Sequence, residues 1–156
     1  MWNSKTYCED CHYELYNTEI LERWNKIAEY SYQTGKGCCN ICNKKYDFTN
    51  QSLCKFNYDH KNMFEKASTI YGMNKQGIDL EEIYKEIDLC QLLCVSCHNI
   101  VTSIEQRTGF TRIKINITKE YNKSSDIEQK EKLMKYYSEI YEKYMKNIYA
   151  IVKKLI

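Results

Sequence analysis

Helical periodicity dominates the pattern of hydrophobic and polar positions along the chain. Apolar residues recur every three or four positions in five segments, and such a repeat predicts amphipathic helices. The predicted helices cover residues 18–33, 62–71, 80–87 and 97–108 and a final stretch of about 30 residues. Asp79 is placed to cap the third helix and Gly109 to end the fourth, and a capping box from Ser125 to Glu128 begins the last.

The last predicted helix carries a heptad seam of apolar side chains. Its members are Met134, Tyr137, Tyr141, Tyr144, Ile148, Ile151 and Leu155. Such a seam either packs on the rest of the chain or pairs with a second copy. A homodimer through this C-terminal helix is therefore one of two expected arrangements.

Three short segments predict strands. Residues 53–60 alternate and are rich in aromatic side chains, so they read as a strand that ends at Asp59 and His60. Residues 90–94 form a short apolar run that is typical of a buried strand, and we expect it to pair with the first. Alternating isoleucines predict a third strand at 113–117.

Two Cys-x-x-Cys pairs are the main chemical signal in the sequence. Cys39 and Cys42 form one pair, and Cys94 and Cys97 form the other. Four thiolates in two such pairs are the ligand set of a closed tetrahedral zinc site, with zinc–sulfur bonds of ~2.3 Å. We therefore predict a structural zinc ion that stabilises a small core.

A third pair predicts a second zinc ion. Cys8 and Cys11 would supply two ligands, and the other two would come from Cys38, Cys54, Cys90 or His12. Cys54 and Cys90 are favoured because they lie on the two strands that are expected to pair. The prediction is thus one or two structural Zn²⁺ ions.

Composition places few limits on function. The net charge is only +2, which does not by itself argue for a nucleic-acid partner. Heavy use of Lys, Asn, Ile and Tyr is typical of AT-rich genomes, such as those of many viruses and mobile elements. The sequence has nine cysteines and no apolar run at its start, which predicts an intracellular, reduced protein that is not secreted. It also has no apolar run of the ~20 residues that a membrane span requires, so no membrane segment is expected.

The order of these motifs resembles that of the HNH nucleases. One cysteine pair comes first, then Asp59 and His60, and then Leu92-Leu93 and the second pair, which runs directly into His98. The resemblance covers about residues 38–108. It is closest to the zinc-containing branch that includes recombination endonuclease VII and small two-zinc restriction enzymes. It implies an α+β fold with a zinc-stabilised ββα-metal core.

The resemblance also implies three roles. Asp59 and His98 would bind a catalytic Mg²⁺ or Mn²⁺ ion, and His60 would be the general base for hydrolysis of DNA phosphodiester bonds. Chemistry is consistent with these roles, because a carboxylate and an imidazole suit such an ion and histidine exchanges protons near neutral pH. The position at which the family has an asparagine is Leu89, which offers no amide.

The predicted organisation has three parts. Residues 1–37 hold the Cys8 and Cys11 pair and a helix, residues 38–118 hold the HNH-like core, and residues 119–156 hold the C-terminal helix. Lys61, Arg107 and Arg112 are candidates for DNA phosphate contact. The alternative function is a catalytically inactive zinc module of the same fold, which acts in DNA binding or as a structural component of an assembly.

Overall fold

Helices make up most of the computed structural model, which describes residues 18–46, 56–64 and 66–156. In chain order the elements are α1 (Thr18–Gln33), β1 (Phe56–His60), α2 (Ile70–Lys75), α3 (Leu80–Asp88), β2 (Cys90–Cys94), α4 (Val95–Arg107), α5 (Phe110–Lys123) and α6 (Ile127–Leu155). Strands β1 and β2 pair in antiparallel fashion as a two-stranded sheet. The α+β class predicted from the sequence is therefore confirmed at this level.

The chain divides into two compact units. The first comprises the described residues of Met1–Lys61 and Lys66–Val95, and the second those of Asn62–Glu65 and Ser96–Ile156. No helix within the described ranges is both long enough and apolar enough to cross a membrane. The three-part organisation predicted from the sequence stays a prediction.

The core of the first unit is built from the apolar faces of its helices. Helix α1 buries Ile20, Trp24 and Ile27, which are four and three residues apart and so share one face. Helix α3 adds Ile83 and Ile87 to the same cluster. Asp79 caps α3 as predicted, because its carboxylate accepts the backbone N–H of Glu81 at 2.8 Å. The predicted boundaries of α1, α3 and β2 are confirmed to within a residue.

Aromatic packing holds the second unit together. Phe110, at the start of α5, is fully buried and stacks on Tyr144 of α6 with ring centroids 4.3 Å apart. The ring of Phe64 packs edge-on against Tyr137, with ring centroids 5.5 Å apart. Its centroid lies 4.5 Å from that of the Tyr121 ring. Within the seam of α6, Tyr137 and Ile148 are buried, and Tyr141 and Tyr144 are partly buried. Pairing of α6 with a second copy stays a prediction.

The prediction of a helix at 62–71 is wrong over most of that range. Residues 62–64 and 66–69 form no regular helix, and α2 begins only at Ile70. The backbone N–H groups of Ala67 and Ser68 are bound instead by the carboxylate of Glu86, at 2.9 and 3.4 Å. Thr69 then caps α2 by accepting the N–H of Gly72. A tertiary contact therefore replaces the helical hydrogen bonds that the N–H groups of Ala67 and Ser68 would have made.

The strand predicted at 113–117 is also wrong, because these residues lie within α5. Five alternating positions suggested a period of two. The larger repeat is helical, since Phe110 and Ile117, seven residues apart, are the buried positions of α5. Packing of this face on α6 outweighs the low helix propensity of the isoleucines.

The start and the seam of the last helix need smaller corrections. Asp126, rather than Ser125, is the N-cap and accepts the N–H of Glu128 at 3.0 Å. At the far end Val152 is buried, while Ile151 and Leu155 are exposed. A straight helix drifts by about 20° per heptad from a strict seven-residue repeat, and this drift moves the buried face onto Val152.

Substitution of two isoleucines of α5 tests the correction. Ile115 is 49% exposed and Ile117 is 5% exposed, so they lie on different faces of the helix. We expect Ile117→Ala to lower the free energy of unfolding by about 2–5 kcal/mol. Ile115→Ala should change it by less than about 1 kcal/mol. Urea unfolding followed by circular dichroism measures both, and equal losses would indicate the strand, in which both side chains share a face.

Candidate metal centre and neighbouring polar cluster

A tight turn presents the first cysteine pair. The backbone N–H of Cys39 binds the carbonyl of Lys44 at 2.8 Å, and the N–H of Asn43 binds the carbonyl of Cys39 at 2.9 Å. Asn43 has a φ of 58°, a left-handed conformation that asparagine tolerates better than most residues. Cys39 and Cys42 are thereby brought to one side of a small loop. The sequence predicted this turn from the pair spacing.

The second cysteine pair spans the junction of β2 and α4. Cys94 is the last residue of β2, and Cys97 lies in the first turn of α4. A separation of three residues at a helix start leaves both side chains on one side. Both thiols are buried.

The four sulfur atoms form a candidate metal centre. The ligand atoms of Cys39, Cys42, Cys94 and Cys97 all lie within 4.8 Å of one another. The sulfurs of Cys42 and Cys94 are 3.7 Å apart. A tetrahedral site with zinc–sulfur bonds of about 2.3 Å has sulfur–sulfur edges of about 3.8 Å. The donor set therefore fits a structural zinc ion, as predicted from the sequence.

The surroundings of Cys39 favour the thiolate that a metal requires. Burial alone would raise the pKa of this thiol. Hydrogen bonds from the backbone of Cys42, Cys94 and Ile41 and from the Cys42 side chain outweigh that effect and lower the pKa to about 7. The same backbone N–H groups would stabilise a metal-bound thiolate.

The geometry thus defines a four-cysteine site of the structural type. Within residues 18–46, 56–64 and 66–156 it is the one group of three or more Cys, His, Asp or Glu side chains close enough together to hold an ion. Comparisons with protein-family models, curated proteins and solved structures gave no match. Any assignment of function therefore rests on the residues of this chain.

The predicted second zinc site falls largely outside the described residues. Cys8, Cys11, Cys54 and the alternative ligand His12 all lie there. Cys90 is described and fully buried, and its thiol donates to the carbonyl oxygen of Glu86 at 3.2 Å. Burial, with the carboxylates of Glu86 and Asp59 nearby, raises the pKa of Cys90 to about 12. The second zinc ion stays a prediction.

A hydrogen-bonded chain joins the first cysteine turn to Asp59. The side-chain amide of Asn40 donates to Oε1 of Gln91 at 3.1 Å, and the Gln91 amide donates to Oδ2 of Asp59 at 3.0 Å. Asp59 and Gln91 are direct partners across the two strands, so their side chains share a face. The turn that carries two metal ligands therefore also orients the Asp59 carboxylate.

His60 contacts a different partner. Its Nε2 lies 2.6 Å from Oε1 of Glu86 on α3, and the two side chains are 6% and 7% exposed. His60 is the last residue of β1 and pairs with Cys90. His98 follows Cys97 directly in α4 and is partly buried. Leu89, at the position of the family asparagine, is the C-cap of α3, and its carbonyl accepts the N–H of Lys61 at 3.3 Å.

Two residues of this cluster were missed from the sequence. Gln91 is a polar residue inside a buried strand, and Glu86 is an acidic residue on the apolar face of an amphipathic helix, one turn from Ile83. A polar side chain within an apolar pattern was the available signal, because burial requires a hydrogen-bonding partner. The three candidate DNA contacts, Lys61, Arg107 and Arg112, are all exposed.

Proposed function

We propose that this chain is a zinc-stabilised HNH-type endonuclease with a ββα-metal core formed by β1, β2 and α4. The observation that supports it is the chain of hydrogen bonds from the four-cysteine turn through Gln91 to Asp59. A structural metal site would have no need to orient a carboxylate of the neighbouring strand. A second ion bound beside that carboxylate would use this orientation.

In this proposal Asp59 and His98 hold a divalent ion, and His60 acts as the base. A bound Mg²⁺ or Mn²⁺ ion would neutralise charge on the scissile phosphate and stabilise the leaving oxygen. The Gln91 amide engages Oδ2 of Asp59, which limits the orientations that the carboxylate adopts. His60 takes the proton from the attacking water.

DNA is the proposed substrate, and its phosphates are the proposed partners of the exposed cations. Lys61 directly follows His60, and Arg107 and Arg112 flank the junction of α4 and α5. One site of this kind cleaves one strand, so double-strand cleavage would call for a homodimer through α6. An intracellular, reducing location suits free thiols that bind zinc.

The low exposure of His60 favours a second candidate function. A ring that is only 6% exposed and bound to a buried carboxylate also suits a purely structural pair. The chain would then be a catalytically inactive zinc module of the same fold that binds DNA or serves in an assembly. Its expected signature is DNA affinity with a steep salt dependence and no cleavage.

Nicking of supercoiled plasmid distinguishes the two functions. We expect the zinc-loaded protein to convert supercoiled to open-circular DNA when Mg²⁺ or Mn²⁺ is added, and not in buffer without either ion. Chelators are left out, because they would remove the structural zinc as well. Asp59→Asn should reduce the nicking rate about 100-fold or more, because it removes a charged ligand.

The matched control is Asp88→Asn. Asp88 is an exposed acid at the end of α3 that pairs with Lys36 at 3.3 Å. Its loss should leave nicking unchanged, since an exposed ion pair contributes little. Absence of nicking by the parent with either metal would exclude the nuclease. Equal nicking rates for the parent and Asp59→Asn would exclude Asp59 as a ligand of the catalytic ion.

A further inference from the structure

Glu86 is a buried carboxylate on the apolar face of α3. Its side chain is 7% exposed, whereas Glu81 and Glu82 on the same helix are exposed. Burial of a carboxylate is costly unless hydrogen bonds replace its water. Three groups converge on Oε1 of Glu86, namely His60 Nε2 at 2.6 Å and the backbone N–H groups of Ala67 and Ser68 at 2.9 and 3.4 Å.

These contacts determine which ring nitrogen of His60 carries the proton. Oε1 of Glu86 already accepts the N–H groups of Ala67 and Ser68, and an ionised carboxylate is an acceptor only. The short contact with His60 therefore requires a proton on Nε2. In the neutral ring Nδ1 is then the nitrogen that is free to accept a proton. No other hydrogen bond of the ring occurs within the described part of the chain.

The same carboxylate also fixes the segment that follows His60. The chain leaves β1 at Lys61 and returns to Glu86 at Ala67 and Ser68, which are bound through their backbone N–H groups. One side chain on α3 thus anchors both the last residue of β1 and the loop after it. Neither the ring nor the loop can turn without breaking a bond to a buried charge.

We propose that Glu86 is a positioning residue that holds His60 in the tautomer with the proton on Nε2 and keeps Nδ1 available as the base. The catalytic part of this inference, that Nδ1 acts as the base, rests on the proposed nuclease function. The tautomer of His60 can be measured whether or not the protein is a nuclease. In this role Glu86 would not contact the substrate, and its effect on the reaction would pass through its hydrogen bond to His60.

Two variants separate hydrogen bonding from mere filling of space. Glu86→Gln retains a carbonyl oxygen that can accept the bonds from His60 and Ala67, whereas Glu86→Leu fills the volume and accepts none. Glu82→Gln is the matched control, an exposed glutamate one turn earlier on the same helix. Zinc content and circular dichroism establish that each variant is folded.

The first measurement is the nitrogen NMR spectrum of His60, which distinguishes the two tautomers. We expect the Nε2–H form in the parent, in Glu86→Gln and in Glu82→Gln, and a mixture of both forms in Glu86→Leu. An Nδ1–H form in the parent would overturn the proposal, whether or not any variant folds. So would an Nε2–H form that persists unchanged in Glu86→Leu.

The second measurement is the rate of plasmid nicking. Glu86→Leu should lower kcat about 100-fold or more with KM little changed, while Glu86→Gln stays within about tenfold of the parent. Parent-like kcat in Glu86→Leu would overturn the positioning role while leaving the nuclease function intact. Absence of nicking by the parent would exclude the nuclease, and the NMR result would still decide the role of Glu86.

Discussion

Replacement of Cys97 by serine should remove one zinc ion per chain and unfold the region around β1 and β2. The reason is that four thiols converge on one point, with the Cys42 and Cys94 sulfurs only 3.7 Å apart. Structural zinc supplies about 10–16 kcal/mol in small zinc-finger peptides, which is comparable to the whole stability of a typical domain, about 5–15 kcal/mol. Zinc content by elemental analysis and thermal unfolding by circular dichroism measure the effect.

Cys38 provides the matched control for this experiment. It directly precedes Cys39 but does not belong to the group of four ligands. Cys38→Ser should keep the zinc ion of the four-cysteine site and lose little stability. The four-cysteine site would be excluded if fresh parent protein held less than one zinc ion per chain, or if Cys97→Ser kept the parent zinc content. A parent content near two ions would support the predicted second site at Cys8 and Cys11.

The second large effect is expected at His60. Replacement by glutamine retains an N–H group that can reach Glu86, but it removes the nitrogen that accepts a proton. We expect His60→Gln to remain folded and to lose about 10²–10⁴-fold in the rate of plasmid nicking, the usual contribution of a general base. DNA affinity, measured by a gel-shift assay in parallel, should be unchanged.

His60→Ala is the informative companion variant. It removes the base and also leaves the buried Glu86 carboxylate without its closest partner, at 2.6 Å in the parent. It should therefore lose activity as His60→Gln does and in addition lose about 1–3 kcal/mol of stability. Nicking by His60→Gln at the parent rate would eliminate His60 as the base. A stability loss in His60→Gln as large as in His60→Ala would mean that the glutamine does not bind Glu86.

Local spacing was sufficient to predict several elements of this chain. Helix α1, helix α3 with its Asp79 cap, and strand β2 were predicted to within a residue, because each has a clear apolar period and a recognisable end. The four-cysteine site was also predicted, since two Cys-x-x-Cys turns form a ligand set that hardly depends on the rest of the fold.

Errors arose where distant residues decide the local structure. The 62–71 segment has a helical pattern, yet Glu86 binds the N–H groups of Ala67 and Ser68 and keeps them out of a helix. At 113–117 five alternating residues suggested a strand, but burial of Phe110 and Ile117 on one helical face, with Phe110 stacked on Tyr144 of α6, makes the segment helical. In both cases a tertiary contact outweighs a short local pattern.

The sequence by itself determined the four-cysteine site, because two Cys-x-x-Cys pairs are visible along the chain, and it named Asp59, His60 and His98 as candidates. Only the tertiary structure decided which partners orient them. Gln91 binds Asp59 and Glu86 binds His60 across 32 and 26 residues. Hydrogen bonds at such separations depend on strand register and helix packing, which no local spacing encodes.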